Sequence, residues 1–190
     1  FDASMEIVRT MVEAGVDLME LQIPFSEPIA DGPVILKANQ RALANGVTVE
    51  QCLDFGRQVA DRFPIPFLYM TYFNILFKYG VDRFAEHMQE AGLRGAIVPD
   101  LPPEEAGEYL DAMGEKQLAP IFIYSPTTAT ARMNNIAEVA DGFVYCVARK
   151  GVTGDRTDFS RQLDGYLDRC RVATSLPLAL GFGVKDRSDI

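Results

Sequence analysis

A chain of 190 residues is long enough for one domain with a sizeable core, and its even composition gives no reason to divide it. Acidic residues outnumber basic ones 27 to 18, a net charge of −9, which argues against a nucleic-acid backbone or an anionic membrane surface as partner. An anionic metabolite stays open, because backbone N–H groups and helix N-termini bind phosphate whatever the overall charge.

In chain order, residues 3–14 (ASMEIVRTMVEA) carry helical periodicity and stop at Gly15, and 16–23 (VDLMELQI) read as a strand. Helical patterns follow over 33–45 and 48–62, then a strand in PFLYMTY. A helix near 81–91 leads to the strand-length run GAIVPD, then the helical EEAGEYLDAMGEK and the strand APIFIYS. Helix 130–140 precedes the strand GFVYCVA, and helix 159–173 precedes the strand LPLALGF. Apolar strands alternating with helices predict a parallel sheet covered by helices. A doubly wound sheet and a TIM (β/α)₈ barrel both satisfy the alternation. Regular spacing, with the unusual residues in the loops after the strands, favours the barrel. A barrel usually has eight strands, so residues 1–190 are expected to be a single barrel domain incomplete at both ends, lacking the first and last strands.

Cys52, Cys146 and Cys170 are far apart and form no CxxC pair, so they read as reduced core residues of a cytoplasmic protein. A single histidine, His87, argues against a His-based metal site or a Ser-His triad. IPFLYMTYFNILF is too short and too interrupted to span a bilayer. No signal peptide is visible, and the opening residue Phe1 implies a start further upstream.

The stretch MELQIPFSEPIADGP holds the chemistry-bearing residues. Strand side chains alternate, so Leu18, Glu20 and Gln22 share one face and Met19, Leu21 and Ile23 the other. The apolar set should meet the helices, which turns Glu20 into the barrel near its C-terminal mouth. Desolvation there raises a carboxyl pKa and suits it to acid–base work near neutrality. A structural carboxylate paired with an interior Arg or Lys is the plainer reading. Eleven residues on, Asp31 can be a helix cap ahead of Pro33 or a second catalytic acid held over the mouth by Pro24 and Pro28.

Glycines follow two late strands, in RKGVTGDRTDF and LGFGVKD, where backbone N–H groups can approach a phosphate. Lys150 can be a Schiff-base lysine or a solvated loop residue beside Arg149. Tyr72, Phe73, Ile75, Leu76 and Phe77 read as an apolar loop that fills the core, lines an aromatic-substrate pocket or meets a partner chain.

Taken together, MELQIPFSEPIADGP, YFNILFKYG, VPDLPPEE, RKGVTG and LGFGV resemble the tryptophan synthase alpha chain family, in order and spacing, over essentially the whole chain. The first motif is the most specific, since two acids so spaced around P-F-S-x-P-x-A-D-G-P would seldom arise in another barrel. The resemblance places a strand before Phe1 and an eighth strand and helix after Ile190. It implies a lyase that cleaves indole-3-glycerol phosphate to indole and glyceraldehyde 3-phosphate by a metal-free, acid–base retro-aldol reaction in tryptophan biosynthesis. Glu20 would protonate indole C3 and take the glycerol hydroxyl proton, and Asp31 would accept from the indole N–H. Tyr72 and Tyr145 would border the indole and glycerol parts. Gly154, Gly183 and the backbone around Phe182 would bind phosphate, and Thr153 would touch Asp31 when the GVTG loop closes. No cofactor is implied in this chain; pyridoxal phosphate would belong to a beta chain partner in an α2β2 complex, faced by the PFSEP loop and the loop around Asn74.

The chain departs from the family pattern at Gln22, where glycine is frequent, at Glu27, where aspartate is usual, and at Ser125, where alanine is typical. None of these is expected to touch the two acids. A Schiff-base aldolase using Lys150 and a non-catalytic barrel subunit that activates a partner are the alternatives.

Overall fold

The structure, a computed structural model, describes residues 1–147 and 161–181. Over them the chain runs α1 (Asp2–Glu13), β1 (Met19–Gln22), α2 (Pro33–Ala44), α3 (Val49–Arg62), β2 (Phe67–Met70), α4 (Phe73–Tyr79) and α5 (Val81–Glu90). Next come β3 (Gly95–Ile97), a 3-10 turn at Pro103–Glu105, α6 (Gly107–Glu115), β4 (Ala119–Tyr124), α7 (Thr130–Val139), β5 (Val144–Val147), α8 (Arg161–Ala173) and β6 (Leu178–Gly181).

The six strands are parallel and lie side by side in chain order, β1 to β6. A doubly wound sheet reverses its strand order part-way; a barrel wall does not. The two faces of the sheet agree with that. On one, Phe67, Tyr69, Phe122, Tyr124, Val144 and Cys146 pack with helical residues in the main core. On the other, Leu68, Ile97 and Ile121 cluster with Leu18, Met70 and Tyr145, drawn from strands and their ends. The helices cover one side, and the smaller cluster is the inner wall of a curled barrel-type sheet.

Local sequence accounts for most elements. TVEQ opens α3 with a capping box: the Gln51 N–H donates to Thr48 Oγ1 at 3.3 Å, and the Thr48 N–H donates to Gln51 Oε1 at 3.0 Å. Leu53, Phe55 and Val59 then bury one stripe of the helix.

α4 differs from the expected apolar loop. Residues 73–79 form a helix whose first N–H, on Phe73, donates to Asp100 Oδ1 at 2.9 Å. Its cap is therefore supplied from beyond β3, where local sequence cannot show it. Ile75 and Leu76 enter the core, Phe77 stays exposed, and Gly80 ends the helix at a positive φ.

β3 and β4 approach closely at Gly95. A Cβ on Gly95 would overlap the carbonyl oxygen of Ala119, its register partner on β4. Gly95→Ala is expected to cost about 1–3 kcal/mol by forcing the strands apart. The check is a lower denaturant midpoint at unchanged slope.

Candidate active site

The alternation expected of β1 is present. Met19 and Ile23 lie in the helix-facing core with Leu21 packed against it, while Leu18 joins the inner cluster. Glu20 thus comes off the inner face, in register with Leu68 of β2. It borders a cavity of about 930 Å³ formed by the last residues of the strands, among them Gln22, Met70, Ile97 and Val147, and by the loops after them. In the described structure Glu20 remains exposed to solvent. The protein around it nonetheless strips water from the carboxyl and raises its pKa above the usual carboxylate range.

Asp31 meets the same cavity from the β1–α2 loop. A turn closes that loop, with the Asp31 N–H donating to the Pro28 carbonyl at 3.0 Å. The N-cap of α2 is Gly32, followed by Pro33 in the first turn. The Asp31 carboxylate is instead engaged by two side chains on one oxygen: Gln22 Nε2 donates to Oδ2 at 2.6 Å and the Tyr72 hydroxyl donates to it at 3.0 Å. This corrects the expectation for Gln22, which does touch one of the two acids. The signal lay in the alternation itself, since Gln22 shares the inner face with Glu20 and has the length to reach the loop.

Tyr72 holds the loop in place. Its hydroxyl also accepts from the Ala30 N–H at 3.2 Å, and its ring stacks on Phe25 with centroids 5.0 Å apart. Burial, with Asp31 adding to it, raises the phenol pKa, so Tyr72 remains a donor at neutral pH. The side chain is 1% exposed and reaches the cavity through Asp31, behind the wall it was expected to form. Asp100, which sequence reasoning overlooked, borders the cavity and holds the start of α4.

Tyr145 of β5 stands on the cavity wall. Burial, and secondarily the charge of Glu20, push its phenol up to about 12. Its hydroxyl lies against the backbone of Gly181, where any Cβ would overlap it. Lys150, Thr153, Gly154, Phe182 and Gly183 lie outside the described residues.

Glu20, Asp31 and Tyr145 are therefore brought to one cavity, with Ile29, Ile35, Met70 and Ile97 supplying apolar wall. Such a site can hold a flat apolar ring between a proton donor and a hydrogen-bond acceptor. Among the described residues no group of three or more His, Cys, Asp or Glu could hold a metal ion. The three cysteines are free and buried. No helix among the described residues is long and apolar enough to cross a membrane.

Comparison with known proteins puts this geometry in context. The tryptophan synthase alpha chain of Syntrophotalea carbinolica is 70% identical over 189 residues, which cover 100% of this chain and 75% of the relative. That of Desulforapulum autotrophicum is 65% identical over 190 residues, with coverage of 100% and 75%. Among solved structures, Mycobacterium tuberculosis tryptophan synthase matches with a TM-score of 0.92 and 35% identity over 99% of this chain and 72% of that one. The tryptophan synthase complex of Pyrococcus furiosus matches with a TM-score of 0.85 and 28% identity over 96% and 72%. The family described as tryptophan synthase alpha chain matches residues 1–190. A barrel wall with two acids at its mouth, in a sequence matched by the family over residues 1–190, leaves one assignment: the chain belongs to the tryptophan synthase alpha chain family.

Proposed function

We propose that Glu20 and Asp31 carry the reaction of this family. Tryptophan synthase alpha chains cleave indole-3-glycerol phosphate to indole and glyceraldehyde 3-phosphate in tryptophan biosynthesis, and this chain is a lyase of that kind. The observation that supports the assignment of roles is the meeting of both carboxyls in one apolar-walled cavity, the first with a raised pKa.

The scissile bond joins indole C3 to the first carbon of the glycerol chain. Its electron pair must return to the ring, so C3 needs a proton first. Neutral Glu20 supplies it, and the positive charge that forms in the ring is shared by N1–H, which donates to the Asp31 carboxylate. The Glu20 carboxylate then takes the proton of the hydroxyl on the first glycerol carbon. The C–O bond closes to an aldehyde, the C–C bond breaks, and its electrons restore the indole ring. Glu20 ends protonated as it began, now carrying the proton from the hydroxyl, while its first proton stays on indole C3. A raised pKa serves both halves of that cycle, because the group must give and take a proton at one pH.

In the same reading Tyr145 borders the glycerol part, and Tyr72 acts by holding Asp31. The backbone at Gly154, Phe182 and Gly183 binds phosphate, and Thr153 meets Asp31 when its loop closes and excludes water. None of these steps calls on a metal or cofactor in this chain. The partner is a beta chain, which carries pyridoxal phosphate, in an α2β2 complex in the cytoplasm. Ile29, Val34 and Phe77, each at least 70% exposed, give the loops and helix starts at this end an apolar surface for it.

The test supplies indole-3-glycerol phosphate to the full-length protein and measures both products. Equal amounts of indole and glyceraldehyde 3-phosphate are expected, and borohydride is expected to trap no adduct. An adduct at Lys150 would establish the Schiff-base aldolase, and absence of indole would leave a non-catalytic subunit.

A further inference from the structure

We propose that Gln22 is a positioning residue for this reaction: its bond to Asp31 fixes the carboxylate plane so that Oδ1 faces the indole N–H. The inference rests on the roles given above to Glu20 and Asp31.

Asp31 sits on a loop, and a loop carboxylate turns about its Cβ–Cγ bond unless something holds it. Here two donors converge on the same oxygen, Oδ2, one from the end of β1 and one from the start of α4. Tyr72 follows β2 and Gln22 is the last residue of β1, in register with Met70. Two donors from separate parts of a rigid sheet define a plane, where one donor would define only a direction. Oδ1 is the oxygen that neither of them takes. A ring nitrogen that must be met as it becomes positive depends on that orientation, because stabilisation of developing charge is greatest from a pre-placed acceptor.

The residue type matters as much as the position. An amide donates to a carboxylate without adding a charge, whereas a glutamate at 22 would face both Glu20 and Asp31 with a third negative group. A glycine at 22 would offer no donor. In this chain the strand end takes on part of the work of orienting the loop acid.

A purely structural role, tying the loop to the strand, uses the same bond; a double-mutant cycle shows that the effect runs through Asp31, and the split between kcat and KM with a ring-methylated substrate separates the two roles. Gln22→Leu keeps the bulk and removes the donor. In the full-length protein with its partner, it is expected to lower kcat for indole release by about 10- to 100-fold while KM changes by less than about 3-fold. In an Asp31→Ala background the same change should cost less than about 2-fold, since the group it orients is gone. A substrate methylated on the ring nitrogen supplies a second readout: the preference for the unmethylated substrate should shrink in Gln22→Leu.

An equal loss in both backgrounds, or no loss in either, overturns the proposal. If Gln22→Leu does not fold, Gln22→Met, longer and more pliable, takes its place in the same cycle. Wild-type protein that releases no indole would instead overturn the underlying lyase reading, and that outcome appears in the control before any variant is made.

Discussion

Glu20→Gln is expected to leave the fold intact and to lower indole release by about 10²–10⁴-fold, the range for loss of a general acid–base group. The amide keeps the size of the acid but can neither protonate C3 nor take the hydroxyl proton. No other described carboxyl with a raised pKa lies on the cavity to replace it. Retained activity would refute the assignment. The same variant has a pH signature in stability. Desolvation raises the folded-state pKa of Glu20 above the roughly 4.3 of an unfolded glutamate. Below the unfolded value the group is neutral in both states and contributes nothing to the difference. As pH rises through the window to the folded pKa, the unfolded chain gives up its proton first, and the native state loses stability relative to it. The substituted amide does not titrate, so melting curves of variant and wild type should coincide in acid and separate in favour of the variant at neutral pH. Because Glu20 is exposed, that separation should be small.

Asp31→Asn should lower kcat by about 10²–10³-fold, as removal of a placed electrostatic partner does in other enzymes. The amide would point either a carbonyl or an N–H at the ring nitrogen, and it brings no negative charge in either case. Its contacts with Gln22 and Tyr72 would also have to be redrawn, since both now donate to one carboxylate oxygen. Steady-state kinetics with a thermal melt decides the matter. A fall in melting temperature with unchanged turnover would return Asp31 to a structural part in the loop.

The direction of Glu20 was legible because it needed one rule, the alternation of side chains along MELQI. The parallel sheet was legible from strands and helices repeating in order, and the regular spacing with unusual residues after the strands favoured a barrel. α4 was not, because its cap comes from Asp100, a separation along the chain that local pattern does not carry. The choice between the two readings of Asp31 needed coordinates for a similar reason: A-D-G-P supports a cap locally, and only the arrival of Gln22 and Tyr72 shows what engages the carboxylate. Tyr72 was expected beside the indole and glycerol parts from the resemblance, the residues alone leaving core, pocket or partner surface open. Phe25, from another loop, covers its face instead.

Tyr72 is both the residue on which α4 begins and a tether of Asp31. The helix that displays Phe77 to solvent therefore shares a pivot with the acid in the cavity. One tyrosine thus joins an outward-facing helix to a carboxylate on the cavity wall, alongside the tie from Gln22.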